Sequence, residues 1–232
     1  MGGVEATRSI RRQRPDYRTK DGVRVPGVTT VLNLKNKPAL VEWAFNLGKN
    51  NPGLSSSREY VDDLARIGTA CHERIASHLK NKTPDLSDFT GKEIEASAIP
   101  FGKFLDWTRG KDIKVVAIEK MLVSERHHYG GSLDALLDID GKRTVTDFKT
   151  GKAIYPEYFL QVAAYAEAEQ EVSGEKVAEV RILQIGRVGE EGFTEQAKAD
   201  WRWEFEAFLA LRRLYEIEFK LKNNVPWHPL AL

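Results

Sequence analysis

Asp140-Gly141 is the dipeptide that most constrains this chain. It stands between two segments that read as strands, 131–139 with its leucines and isoleucine and 142–150 with its threonines and valine. Asp-Gly at such a junction favours a two-residue turn with positive φ at both positions. Centring the turn there fixes the register. Ile139 opposes Lys142, Asp138 opposes Arg143 and Leu136 opposes Val145; one more step along that face brings Asp134 opposite Asp147. Directly opposed residues have Cβ atoms roughly 4.5–5.5 Å apart on one face. Lys149, two residues past Asp147, projects from that face too.

Two carboxylates and an ammonium therefore meet on a hairpin with apolar surroundings. Leu136 and Val145 lie on one face, and Leu133, Ala135, Leu137 and Phe148 on the other, the pattern of a largely buried hairpin. Opposed like charges destabilise a sheet, and buried charges are costly unless paired or bound to metal. Mg²⁺, or Mn²⁺ in its place, resolves the conflict: it takes one or two carboxylates and keeps several waters, leaving room for phosphate and an attacking water. Lys149 would then orient or deprotonate that water, or offset charge on the phosphate. Taken singly, each of the three residues reads more readily as a surface charge, with an exposed Asp147–Lys149 pair and Asp134 solvated at a strand end; together on one face of an apolar hairpin they read as a site.

The rest of the chain places this hairpin in an α/β core. Residues 17–32 read as a hairpin around Asp21-Gly22, with Val23, Val25, Val28 and Val31 as strand formers. Pro38 opens a helix to about Lys49, with Trp43 and Leu47 on one face. After Ser55, Ser56 and Ser57, which offer N-caps, a helix over 58–80 carries Val61, Ala65, Gly68, Ile75 and Leu79 at helical spacing. Residues 81–90 form a polar loop, and a helix over 92–109 is bent or interrupted at Pro100. Strands follow at 114–123, 131–139 and 142–150, then a helix at 156–172, a strand at 177–185 and a long amphipathic helix at 194–222. Trp201, Phe205, Phe208, Leu211 and Tyr215 lie along the core side of that last helix. The first part, 1–110, reads as a basic arm, a hairpin and a helical subdomain; 111–232 reads as the α/β core, the two forming one structural unit.

Other chemistries are excluded. One cysteine, Cys71, permits neither an intrachain disulfide nor a four-cysteine metal site. The glycines at 186, 189 and 192 have the wrong spacing for a phosphate-binding loop, and Ala76 stands where the second histidine of a His-Glu-x-x-His helix belongs. Cys71 and His72 diverge on a helix and cannot pair as nucleophile and base. Gly-x-Ser-x-Gly does not occur. No apolar run approaches the ~18 residues of a membrane span, and neither a signal-peptide core nor a myristoylation pattern is present, so the expected address is the cytoplasm. The net charge of +1 names no partner. Its distribution says more: Arg8, Arg11, Arg12, Arg14, Arg18, Lys20 and Arg24 crowd the start, a basic arm compatible with nucleic acid or a merely solvated terminus.

Asp134 with Asp147-Phe148-Lys149 resembles the site of the PD-(D/E)xK nuclease superfamily. Gly131-Ser132-Leu133-Asp134 is similar to the Gly-x-x-Asp motif of its RecB-like branch. Gly68-Thr69-Ala70-Cys71-His72-Glu73 resembles that branch's Gly-Thr-x-x-His helix, and Gln161-Val162-Ala163-Ala164-Tyr165 its Gln-x-x-x-Tyr helix. Val28-Thr29-Thr30-Val31-Leu32, Lys37-Pro38-Ala39-Leu40 and Trp43-Ala44 look like the opening of phage-borne members and of the mitochondrial single-strand exonuclease. Each motif alone is short; together they stand in the family's order.

The resemblance implies a restriction-endonuclease-like core, a mixed β-sheet flanked by helices in αβββαβ order, with an N-terminal helical subdomain. It implies His72, Asp134 and Asp147 as metal ligands, the Phe148 carbonyl as a backbone ligand, and Asp134, Asp147 and Lys149 as catalytic. Gln161 and Tyr165, at i and i+4 on one helix face, and Thr150 would orient the site or contact substrate. The lone Cys71 rules out the iron–sulfur sub-branch. The implied activity is Mg²⁺- or Mn²⁺-dependent DNA hydrolysis, as an exonuclease on single strands or duplex ends, in a bacterial or phage-infected cell and with no protein partner indicated. Alternatives are a structure-specific or restriction-like endonuclease, and a non-catalytic nucleic-acid-binding module on the same fold. His72 also reads as a core histidine, Glu119 as a second acid or a surface glutamate, and His127 and His128 as solvated turn residues. Tyr158, Trp201 and Trp203 read as core aromatics with base stacking as the alternative.

Overall fold

The computed structural model describes residues 15–35, 49, 57–188 and 191–224. The basic arm up to Arg14, the helix expected from Pro38 and the capping residues Ser55 and Ser56 lie outside the described residues. Ten elements follow in order: α1 (Val28–Leu32), α2 (Ser57–Leu79), α3 (Gly91–Thr108), β1 (Ile113–Ser124), β2 (Tyr129–Ile139), β3 (Lys142–Thr150), α4 (Pro156–Ser173), β4 (Glu179–Ile185), β5 (Phe193–Lys198) and α5 (Arg202–Lys222). The strands form one mixed sheet in the order β1-β2-β3-β4-β5. All pairs are antiparallel except β3–β4, which α4 connects in parallel. This α/β architecture, with its αβββαβ run from α3 to β4, is the one expected, and it is consistent with a restriction-endonuclease-like core.

Two apolar layers sandwich the sheet. On one face Leu136, Val145, Val180 and Ile182 pack against Val28, Val31 and Leu32 of α1, the small-residue face of α4 and Phe208 of α5. On the other, Ala135, Leu137, Ile139, Phe148, Leu183 and Ile185 pack against Cys71 and Ile75 of α2 and Phe104 and Trp107 of α3. Local signals set the helix ends. Thr90 and Glu93 form a reciprocal capping box on α3. Pro156 opens α4, and Gly174 closes it at φ 73°. Among the described residues no helix is long and apolar enough to cross a membrane.

Three expectations are corrected. The N-terminal hairpin is shorter than expected: it closes with Thr19 and Val23 bonded and Val25 N–H donating to Tyr17 O. Val28–Leu32 is then a helix turn, because burying Val28, Val31 and Leu32 against α4 and α5 outweighs their β-branched preference. Residues 193–198 are a strand, where a helix was expected. They pair with β4 from Ile185↔Phe193 to Val180↔Lys198, covering an edge that would otherwise expose its hydrogen-bonding groups. The helix starts only at Arg202, whose N–H donates to Asp200. Finally, α3 runs through a buried Pro100 without interruption.

Candidate active site

The hairpin turn is as read. Asp140 and Gly141 sit at φ 50° and 80°, the positive-φ pair of a tight hairpin turn. The register runs as expected from Ile139↔Lys142 to Ala135↔Thr146. There the ladder stops, one step short of Asp134 and Asp147. In continued pairing Phe148 N–H would donate to the Leu133 carbonyl; it donates instead to Asp134 Oδ2 at 2.9 Å. The strict in–out alternation slips at this point: Leu133 packs in the cluster with Leu136, and Ala135 in the opposite one. That corrects the face expected for Leu133. The neighbouring strand is distorted at the same level. Glu119, between the paired Ile118↔Ala135 and Lys120↔Leu133, has φ 54°. Its carboxylate is ion-paired to Lys80 at 2.7 Å.

The parted strands hold Asp147 deep and Asp134 shallow. The Asp147 side chain is 2% exposed and that of Asp134 27%. Lys149 Nζ lies 2.6 Å from Asp147 Oδ2, a buried ion pair. Burial pushes the Asp147 carboxyl up to about 6, with Lys149 opposing the shift and Asp134 adding to it. Burial pulls the Lys149 ammonium down, but Asp147 and Asp134 more than offset this and hold it above its usual range. An extended residue directs its N–H and C=O to the same side. The Phe148 carbonyl therefore faces β2, beside Asp134.

Two glycines bring the helices to this spot. A Cβ at Gly68 would lie 2.5 Å from Thr150 Oγ1, so α2 crosses directly over the end of β3. One turn on, His72 Nδ1 is 3.6 Å from Asp134 Oδ2, and its ring stands edge-on to Phe148 at 6.1 Å. Cys71 beside it is buried, and its thiol is pushed up to about 12 by that burial; such a thiol is unreactive. On the other side, a Cβ at Gly131 would overlap the ring of Tyr165. Tyr165 is buried, and its hydroxyl accepts from Gln161 Nε2 at 3.0 Å. Gln161 Oε1 in turn accepts from Lys149 Nζ at 3.0 Å.

Thus His72, Asp134, Asp147, Phe148, Lys149, Gln161 and Tyr165 converge, with Thr150 at the margin under Gly68. Sequence reasoning gave Tyr158 to the core, with base stacking as the alternative, and did not set it beside Lys149. Lys149 Nζ sits 4.9 Å from the Tyr158 ring centroid, and the signal was available, because Tyr158, Gln161 and Tyr165 at i, i+3 and i+7 share a helix face. Among the described residues, no three His, Cys, Asp or Glu side chains gather as a metal cage by themselves. Elsewhere, Trp201 is buried as expected, its indole N–H on Glu167 at 2.9 Å. Trp203 is 85% exposed, which corrects its expected place in the core. His127 is half-buried against Phe205, which corrects the solvated turn expected for it.

No protein-family model matches the chain, and no curated protein matches it. Among solved structures it is similar to a candidate exonuclease from Eubacterium rectale, at 13% identity and TM-score 0.47, over 73% of this chain and 77% of that one. It is also similar to the alkaline exonuclease LHK-Exo from Laribacter hongkongensis, at 15% identity and TM-score 0.31, over 74% and 87% of the two chains. Likeness at these scores carries no argument about activity.

Proposed function

We propose that this chain is a metal-dependent deoxyribonuclease that hydrolyses phosphodiester bonds, working as an exonuclease on single-stranded DNA or DNA ends. The observation that carries the reading is the buried Asp147 carboxylate, which shares its site with a second acid, Asp134, and with the Lys149 ammonium, 2.6 Å away. Two acids drawn together in a buried site repel and are costly to keep charged, and a divalent cation relieves this. Asp134, Asp147 and the Phe148 carbonyl would hold Mg²⁺ or Mn²⁺, with His72 as a further donor. Two carboxylates and a carbonyl suit an ion that keeps several waters and needs no all-protein cage. Bound there, the ion would neutralise charge on the phosphate and make water a better nucleophile near neutral pH. The chain's own residues do the rest. Lys149, fixed between Asp147 and Gln161, presents N–H donors where negative charge develops on the phosphate. Gln161 and Tyr165 hold that ammonium in place from α4.

The test is cleavage of 5′- and 3′-labelled single strands with Mg²⁺, with Mn²⁺ and with EDTA, beside closed circles of the same sequence. Metal-dependent loss of linear strands with circles spared is the expected result. Nicked circles would establish the endonuclease alternative. Binding without cleavage in any metal would leave only the non-catalytic module.

A further inference from the structure

Beside the site, two aromatic rings lead from Lys149 to the surface. The Tyr158 ring faces the ammonium at 4.9 Å, and Tyr155 stands edge-on to Tyr158 with centroids 5.5 Å apart and planes at 85°. Tyr155 is 49% exposed. It is also the N-cap of α4 and makes no side-chain capping bond. Ser, Thr, Asp or Asn at an N-cap would satisfy a free helix N–H, which Tyr does not. A large ring held half in water, at a position where a small polar residue serves the helix better, breaks a local rule. Such breaks mark function more often than folding. Nor does Tyr155 belong to either apolar cluster, whereas the neighbouring Ile154 and Tyr158 pack against one of them.

We infer that Tyr155, braced by Tyr158, is a stacking platform for one unpaired base of a DNA strand whose phosphate lies at Lys149. This rests on the nuclease reading and goes further, naming a base subsite and an unpaired base as its occupant. Lys149 and Tyr158 meet a phosphate and its sugar, and the next ring outward meets the attached base. Every base has a π-face, so the platform tolerates any sequence. It discriminates instead against a base whose faces are covered by duplex neighbours.

The test uses the full chain and labelled single strands in Ca²⁺, with strand integrity checked on a gel. The strands form a series in which one terminal nucleotide after another is replaced by an abasic residue. Stacking on an aromatic side chain corresponds to an affinity change on the order of 10-fold. The intact chain should lose about that much at one position of the series. Tyr155→Ala should bind the normal strand correspondingly more weakly and be indifferent to the abasic residue at that position, while Tyr155→Phe should behave as the intact chain. Equal sensitivity of the intact chain and Tyr155→Ala to every abasic position overturns the platform, as does full affinity of Tyr155→Ala. Failure of the nuclease reading looks different: no cleavage in Mg²⁺ or Mn²⁺, with or without the abasic effect. Melting temperatures of the two variants, expected near that of the intact chain for a half-exposed cap residue, exclude misfolding as the cause.

Discussion

Gly131→Ala should destabilise the protein, whereas Gly102→Ala should stabilise it. Both substitutions add one methyl and remove the same unfolded-state freedom, so the difference between them measures packing. At 131 the new Cβ would overlap Tyr165 Cε1, lie 3.1 Å from Cδ1 and lie 3.3 Å from Val28 Cγ2. The Tyr165 ring is buried and bonded through Gln161 toward Lys149, so it has little room to give. Overpacking of this kind costs about 1–3 kcal/mol, and the lost glycine freedom returns about 0.4–1 kcal/mol. The net, about 0–2.6 kcal/mol and centred above 1, lowers Tm by a few degrees and at most roughly 10 °C for a chain of this size. At 102, inside α3, a Cβ meets nothing within 4 Å, and helix propensity alone contributes about 0.5–1 kcal/mol in favour of alanine. Thermal melts followed by circular dichroism read both. Adding Tyr165→Leu to Gly131→Ala should relieve the clash, giving a coupling of about 1 kcal/mol or more between the two sites. A Gly131→Ala protein that melts at or above the parent, or single changes that simply add, would refute the argument that this glycine makes room for the ring.

Lys149→Ala should lower turnover by on the order of 10²-fold or more with little change in DNA affinity, which comes from phosphate contacts elsewhere and falls steeply with salt; cleavage rates and a titration in Ca²⁺ on one preparation check both. Asp147→Ala removes a metal ligand, so the rise in Tm that millimolar Mn²⁺ should give the parent should disappear along with cleavage; a parent Tm unmoved by Mn²⁺ would count against the metal site. The Arg66 guanidinium beside Glu93 holds its carboxyl below the ordinary value near 4.5, against the opposing effect of burial. A depressed carboxyl contributes stability above its unfolded pKa and loses it as pH falls through the folded value. Glu93→Gln should therefore melt below the parent near neutrality, and the gap should close as pH falls through the depressed folded value of Glu93.

The parts of the fold legible in the sequence were those set by local chemistry. Asp140-Gly141 can close only a tight turn, and the register of Leu136 against Val145 follows from it. Pro156 and Gly174 bracket α4 in the same way. The illegible parts were decided by neighbours distant in sequence. Thr194-Glu195-Gln196-Ala197-Lys198 contains good helix formers and becomes a strand because the β4 edge lies beside it. Val28–Leu32 contains good strand formers and becomes a helix turn because α4 and α5 receive its apolar side chains. At the site, the sequence placed Asp134, Asp147 and Lys149 on one face. It did not show that the ladder would end at Ala135↔Thr146, because that end is made by a side chain taking a backbone N–H.

That capture also bears on how the site can work. Had the strands stayed paired through Asp134, the two carboxylates would have faced each other at ladder distance and repelled, with the Phe148 amide and carbonyl consumed by the Leu133 backbone. Parting the strands gives Asp134 a donor for one oxygen, the Phe148 N–H. Asp147 stays buried and paired with Lys149. The two acids are thereby made unequal, one anchored by a backbone N–H and partly wet, the other dry and held by the ammonium. The glycine motifs belong to the same construction: Gly68 admits Thr150 and Gly131 admits Tyr165, so each motif residue without chemistry of its own fixes the approach of one that has it. Lys149→Ala should then lower the rate and, in the absence of metal, also the stability, because it strips the buried Asp147 of its ion-pair partner. Millimolar Mn²⁺ should recover the stability and not the rate. Changes at Gly68 or Gly131 should lower both with or without metal.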